Sequence, residues 1–297
     1  MALFSKKETL IRSMPLMAMM AAINVVFSLF TAFVPFMAIA LIIFIPLTSA
    51  LIEFYCKDRY FPIYAIATLG LSVVVSLSAI DFTIFYLVPS IITGYIFGLM
   101  AKKGFPNLWG ILIASVLQTG ISFAFIPIIQ LVTDRNLIQD IKTILKVGDS
   151  IYFNNLLIVI FFVVALVQTI LSYIVVSNEL RKFGVENKKK IDYRLPVAFA
   201  GVGASLLAVG LFFVYVPISL LCVGFAWYFA FFSFNFEARR GNKLGASIMG
   251  VTCLINIFIF AAFNQRLAQG SEAILFGIAP LCISLISLGF YFLKKQK

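Results

Sequence analysis

The side chains that could take part in chemistry are few in this sequence. The 297 residues include no histidine, which excludes Ser-His triads, histidine-ligated zinc and imidazole proton relays. No GxxxxGK[ST] loop occurs, so the chain does not hydrolyse ATP in the P-loop manner. No acid, base and nucleophile occur at a spacing typical of an active site. The sequence therefore predicts a protein that is not an enzyme, with no catalytic residues, no metal and no cofactor.

Polar side chains near the ends of apolar stretches, or within them, are better candidates for a binding site. The candidate ligand-binding residues are Asp81, Tyr86, Gln118, Gln130, Asn154 and Asn155. Amides and hydroxyls grouped near one membrane face, with phenylalanines around them, are typical of a site for a small polar organic molecule. Hydrogen bonding between helices is the alternative for each residue, and the sequence leaves both open.

The elements that must position these side chains are apolar helices. Hydrophobic residues make up 62% of the chain and charged residues 12%, whereas a soluble domain needs roughly a quarter of its residues charged. Stretches of about 20 apolar residues, long enough to cross a bilayer, recur along the chain. In lipid each stretch must satisfy its own backbone hydrogen bonds, which predicts an all-α membrane fold with about ten transmembrane helices. The predicted spans are residues 14–34, 36–56, 61–80, 82–101, 107–131, 152–177, 195–214, 217–236, 245–264 and 273–293.

The lysines and arginines predict the orientation of these spans. With both termini in the cytoplasm, all but four of the 23 basic residues fall on the inside, as the positive-inside rule requires. The four exceptions are Arg135, Lys142, Lys146 and Arg266. Because the positive charge is distributed over short loops, the net charge of +11 indicates membrane orientation and no nucleic-acid partner. The lipid bilayer is the expected partner.

Polarity along the chain predicts the domain organisation. The cytoplasmic linker 181–194 would separate a six-helix membrane domain, 1–180, from a four-helix membrane domain, 195–297. Within the second domain, Pro217 predicts a tight turn in a long apolar run. An amphipathic helix is expected near 134–148 on the outside, and it is either a helix resting on the membrane surface or a lid over an outward cavity.

Two carboxylates near predicted inner ends of spans are interpreted as ion-paired at the membrane interface. Glu53 lies four residues before Lys57, and Glu237 lies beside Arg239. A proton-coupled carrier would more naturally place a carboxylate at mid-span.

Small residues at a spacing of four recur, as in Ala18–Ala22 and in Gly94–Gly98 before a Lys-Lys turn, and they permit close helix approach. The first part of the chain has six predicted spans and a cytoplasmic N-terminus. With these features and the small-residue spacings, it resembles the S components of energy-coupling factor (ECF) transporters. This resemblance implies an S-component-like six-helix bundle that binds a solute. It also implies that Ala18, Ala21 and Ala22 dock an ECF-type transmembrane coupling subunit, which works with ATPases.

The whole chain is similar to the uncharacterised bacterial YybS-like membrane proteins, which continue with extra spans. The resemblance is carried by Glu179-Leu-Arg-Lys-Phe-Gly184, by Tyr193-Arg-Leu-Pro196 and by Asn235 before Arg239-Arg240. It implies a location in the bacterial cytoplasmic membrane.

Two functional hypotheses follow. The first is a substrate-binding or uptake component for a small organic solute, working with a separate ATP-driven partner. The alternative is a non-transporting scaffold or regulator of envelope physiology, which would meet its partners through the basic loop 178–194. A secondary carrier built from two inverted halves is least supported, because the fifth and tenth spans show no matching interruptions.

Overall fold

The computed structural model describes residues 9–34, 37–77, 80–133, 136–145, 151–182, 193–263 and 272–295. At several helix ends it describes the backbone alone, and the side chains of Asp81, Asn154 and Asn155 are among those left out. All regular structure in these ranges is helical, as the sequence predicts, with no strand.

Eleven α-helices are present in the described ranges. They are α1 (Leu10–Phe33), α2 (Met37–Tyr55), α3 (Phe61–Val75), α4 (Ile80–Lys103), α5 (Asn107–Thr133), α6 (Leu137–Leu145), α7 (Ile151–Lys182), α8 (Arg194–Phe212), α9 (Val216–Arg239), α10 (Lys243–Phe263) and α11 (Glu272–Lys295). A 3-10 turn, Asp58–Tyr60, precedes α3.

Six of the described helices are long and apolar enough to cross a membrane: α1, α4, α5, α7, α8 and α9. The helices α2, α10 and α11 contribute shorter apolar stretches. The chain is therefore a multi-pass membrane protein. The count of ten spans stays a prediction.

The helix expected near 134–148 is α6, and its first turn is capped by Asn136. The side-chain oxygen of Asn136 accepts a hydrogen bond of 3.2 Å from the backbone N–H of Gln139. This bond satisfies one of the amide groups that a helix start leaves unpaired. Both interpretations of this helix, a surface helix and a lid, stay predictions.

The chain divides into two compact units. Unit 1 comprises Met1–Lys146 and Phe161–Lys189, and unit 2 comprises Val147–Ile160 and Lys190–Lys297. In unit 1, α2 packs against α1 and α4, α1 also packs against α3, and α4 packs against α5. In unit 2, α8, α9 and α11 pack against one another, with α10 beside α9 and α11. The predicted domain limits, 1–180 and 195–297, stay a prediction.

Two glycines allow α4 to lie directly on α2. A Cβ atom added at Gly94 would overlap the carbonyl oxygen of Pro46, and one added at Gly98 would overlap the side chain of Glu53. The spacing of four places both glycines on one face of α4. The Gly94–Gly98 pattern thus serves packing inside unit 1.

The C-terminal ends of α2 and α4 are joined through Lys102. Its Nζ donates to the carbonyl oxygens of Glu53 (3.2 Å) and Cys56 (3.1 Å), to Glu53 Oε1 (3.4 Å) and to Asp58 Oδ1. The hydrogen bond from Lys102 holds the pKa of the Asp58 carboxyl below its usual value of 3.8. Glu53 is ion-paired, as expected, but its partner is Lys102 of α4 and not the nearby Lys57.

A buried hydrogen-bonded triad connects α1, α2 and the first turn of α3. Asn24 Nδ2 donates to the Tyr64 hydroxyl at 2.9 Å, and Thr48 Oγ1 donates to Asn24 Oδ1 at 2.8 Å. All three side chains are buried. These groups satisfy one another, so here hydrogen bonding between helices accounts for polar residues within apolar segments.

Unit 2 contains an ion pair between buried side chains. Arg194, which the sequence places in the linker, is the first residue of α8, and its guanidinium donates to Glu237 Oε1 on α9. Asn242 Nδ2 donates to Glu237 Oε2 at 2.7 Å, and the Arg194 guanidinium lies 5.4 Å from the ring centre of Tyr291. The partner of Glu237 is therefore Arg194 and not the adjacent Arg239. Between α8 and α9, the chain turns before Pro217, where the sequence predicts it.

Candidate functional site

A cavity of about 210 Å³ lies within unit 1 between α2, α4, α5 and α7. It is lined by Ile42, Phe85, Tyr86, Pro89, Gln118, Ser122, Phe161, Val164, Ala165 and Gln168. We refer to it as the amide cavity, because two glutamines form its polar wall.

The two glutamines are hydrogen-bonded across α5 and α7. Gln118 Nε2 donates to Gln168 Oε1. The other side of the Gln118 amide faces two threonines. Its Oε1 accepts from Thr93 Oγ1 at 3.5 Å, and it lies 3.2 Å from Thr169 Oγ1, whose single hydrogen is shared with the Ala165 carbonyl oxygen at 2.6 Å. Thr93 is on α4, so these bonds connect three helices. A side chain fixed at both ends of its amide presents a defined pattern of donors and acceptors.

Part of the hydrogen-bonding capacity of this wall is unused. Among the described residues, neither Gln168 Nε2 nor the Ser122 hydroxyl has a hydrogen-bond partner, and both side chains line the cavity. An amide nitrogen carries two hydrogens, and a hydroxyl both donates and accepts. The cavity therefore offers donors to an occupant.

Aromatic rings form much of the remaining wall. The ring centres of Phe85 and Phe161 are 6.3 Å apart, and the Phe123 ring behind them lies 5.0 Å from Phe161. Tyr86 follows Phe85 on α4, and both line the cavity. Apolar walls with a few fixed polar groups are typical of small-molecule sites.

Of the six predicted ligand-binding residues, the structure brings together two. Gln118 and Tyr86 line the amide cavity. Gln130 lies three turns beyond Gln118 on α5 and is exposed. The side chains of Asp81, Asn154 and Asn155 lie outside the described part of the chain.

Four polar residues of the site are not among those predicted from the sequence. They are Thr93, Ser122, Gln168 and Thr169. The pair Gln168-Thr169 sits inside an apolar segment, as Gln118-Thr119 does, so the same criterion identifies it. The hydroxyls of Thr119 and Thr169 each donate to a carbonyl oxygen of their own helix, Thr119 to Ser115 at 2.8 Å and Thr169 to Ala165 at 2.6 Å.

The predicted docking alanines lie on α1. Ala18 and Ala22 are exposed, whereas Ala21 is 5% exposed and packs inside unit 1. Residues four apart share a helix face, so Ala18 and Ala22 form one small-residue surface.

The described walls of the cavity contain few groups that ionise. No described residue that lines it is charged, and Tyr86 is its one titratable side chain. No group of metal-ligating side chains is found in the described ranges. A scan against protein-family models and searches of characterised proteins and of solved structures find no match to this chain.

Proposed function

We propose that this protein is the binding and uptake component for a small organic solute, and that the solute occupies the amide cavity. The observation that supports this function is the Gln118–Gln168 amide pair, which faces a cavity with unused donors in an otherwise apolar helical unit. A pair that served helix packing alone would not need to border a space of about 210 Å³.

The predicted topology places the cavity on the outward side of the amide pair. With ten spans and a cytoplasmic N-terminus, α4 runs inward from the outer face. Tyr86 then lies about two helical turns outward of Thr93, which contacts the amide pair. In this orientation the amide pair is near the membrane midplane, and Tyr86 and Phe85 lie between it and the outside. Capture from the outside follows.

Uptake requires an energy source outside this chain. The sequence contains no ATP-binding loop, and no carboxylate lines the described cavity walls. We therefore assign the driving step to a separate ATP-driven partner, which an ECF-type coupling subunit with ATPases would provide. The exposed face of Ala18 and Ala22 is the proposed docking surface, because small residues let a second helix approach closely.

Retention of a solute tests this function. The protein is purified in mild detergent, and the small molecules released on denaturation are identified by mass spectrometry. The variant Ala165→Phe fills the cavity, and Gln130→Leu is the control on the exposed side of α5. We expect a solute that is enriched with wild type and Gln130→Leu and reduced at least tenfold with Ala165→Phe.

Equal retention by all three proteins, or no retained solute, would contradict the proposal. A scaffold function predicts that no solute is retained. The scaffold hypothesis also predicts that deletion of residues 183–192 abolishes the protein's role in envelope physiology. Under the uptake hypothesis, solute retention should survive that deletion.

A further inference from the structure

We infer that the solute of the amide cavity is an uncharged, planar molecule of one ring or two small fused rings, carrying a carbonyl or ring-nitrogen acceptor. This inference rests on the proposed function and specifies its substrate class. It follows from the charge, the size and the hydrogen-bonding pattern of the cavity.

The lack of charge in the described walls disfavours an ionised solute. No described lining residue carries a charge, and Lys102, at the end of α4, is already paired with Glu53 and Asp58. Lys102 lies more than two helical turns beyond Thr93 on α4. An ion transferred from water to an apolar site without a counter-ion loses several kcal/mol of hydration energy, so a neutral molecule is favoured.

The volume sets the size of the solute. Sites for drug-sized ligands occupy about 300–1,000 Å³, and an apolar cavity of about 150 Å³ holds benzene. The amide cavity, at about 210 Å³, lies between these values. It accommodates one substituted six-membered ring or a small fused pair.

The aromatic wall favours a flat molecule. Phe85 and Phe161 both line the cavity, with ring centres 6.3 Å apart. Aromatic groups pack against one another edge-to-face or offset-stacked at centre distances of about 4.5–7 Å. A planar ring can adopt such contacts with these phenylalanines, whereas a puckered ring of equal size contacts them less closely.

The unused groups of the polar wall select acceptors on the solute. Gln168 Oε1 and Gln118 Oε1 already accept hydrogen bonds, while Gln168 Nε2 has no partner among the described residues. A carbonyl or ring nitrogen would accept from this amide. A solute without an acceptor would leave the Gln168 N–H groups at the cavity wall unpaired, which weakens binding.

Four probes of similar size test separately whether the solute must be neutral, planar and able to accept a hydrogen bond. Benzamide is neutral and planar with a carbonyl acceptor; benzoate adds a charge at pH 7, cyclohexanecarboxamide removes planarity, and toluene removes the acceptor. Their Kd values are measured with the purified full chain in nanodiscs. We expect benzamide to bind at least tenfold more tightly than each of the other three.

A variant of the polar wall tests whether Gln168 causes the preference for a solute with an acceptor. Gln168→Leu should weaken benzamide binding at least tenfold and leave toluene binding within twofold, while Gln130→Leu should change neither. Benzoate or cyclohexanecarboxamide binding as tightly as benzamide would overturn the inference. An unchanged benzamide Kd in Gln168→Leu would also overturn it.

The retained solute separates failure of this inference from failure of the proposed function. A charged or non-planar solute that is lost in Ala165→Phe would refute the solute class and leave the uptake function standing. If no solute is retained and benzamide does not bind, both are refuted.

Discussion

Gln118 and Gln130 are the same residue type on the same helix, and their surroundings give them different roles. Gln118 is 8% exposed and hydrogen-bonded to side chains of α4 and α7, whereas Gln130 is exposed. The sequence selects both, because both interrupt an apolar segment. It cannot separate them, since in a membrane the lipid-facing and the protein-facing sides of a helix are both apolar. Because both sides of α5 are apolar, the sequence does not indicate which side faces the other helices.

The sequence likewise predicts that the charged side chains form ion pairs but does not predict their partners. Ion pairing of Glu53 and Glu237 follows from their type, since an unpaired charge at the membrane is costly. Their partners, Lys102 and Arg194, are distant in sequence and are brought close by helix packing. Sequence neighbours such as Lys57 and Arg239 are therefore poor guides to the pairs that form.

At this scale we predict that Glu237→Gln destabilises the protein strongly. The variant leaves the Arg194 guanidinium, which is 3% exposed, without its carboxylate partner. Removal of one partner from a buried pair costs on the order of 3–5 kcal/mol. The measurement is the melting temperature (Tm) of the purified protein in detergent, and we expect a clear decrease.

Glu179→Gln is the matched control. Glu179 forms an ion pair with Lys182 three residues along α7, at 2.6 Å, but the Lys182 side chain is 67% exposed. Exposed pairs contribute about 0–1 kcal/mol, so the Tm of Glu179→Gln should stay close to that of wild type. A Tm for Glu237→Gln as high as that of the control would refute a stabilising role for the buried pair.

At the scale of elements, the sequence predicts helices well because backbone groups in lipid have few alternatives to the helix. The turn between α8 and α9 lies where Pro217 indicates it, and α6 forms where the amphipathic pattern is found. Which helices touch depends on small residues, and several sets of them occur. Gly94 and Gly98 contact α2, whereas Ala18 and Ala22 of α1 are exposed.

For the contact of α2 with α4, we predict that Gly98→Ala lowers stability. The added Cβ would overlap Glu53 and the Ala50 carbonyl oxygen, which forces the two helices apart. Overpacking of this kind costs about 1–3 kcal/mol. Gly120→Ala is the control, because no heavy atom lies within 4 Å of its added Cβ.

The Tm values of the two alanine variants decide this point. We expect a lower Tm for Gly98→Ala and an unchanged or slightly higher Tm for Gly120→Ala, since alanine favours the helix by about 1 kcal/mol over glycine. Similar values for both variants would mean that α4 does not need a glycine at its contact with α2.

At the scale of the whole molecule, hydropathy and charge placement establish a membrane protein, and six described helices satisfy the length and composition of a span. The remaining predicted spans depend on the distribution of lysine and arginine. The sequence does not show that α2, α4, α5 and α7 line a cavity, because that depends on the packing of several segments at once.

The ten-span topology makes a direct prediction about two loops. Reporter enzymes fused after residues 145 and 187 should report opposite compartments, the first outside and the second in the cytoplasm. The two positions flank α7, which is 32 residues long and apolar enough to cross the membrane. The same compartment for both fusions would refute the predicted orientation and the outward position of the cavity.

The most direct test of uptake through the amide cavity is accumulation of the retained solute in cells. The labelled solute is supplied to cells that produce wild type, Gln118→Leu or Gln130→Leu at equal membrane levels, with the ATP-driven partner present. We predict accumulation with wild type and Gln130→Leu, and at least a tenfold reduction with Gln118→Leu. Equal accumulation with Gln118→Leu and Gln130→Leu would contradict the assignment of the solute to this cavity.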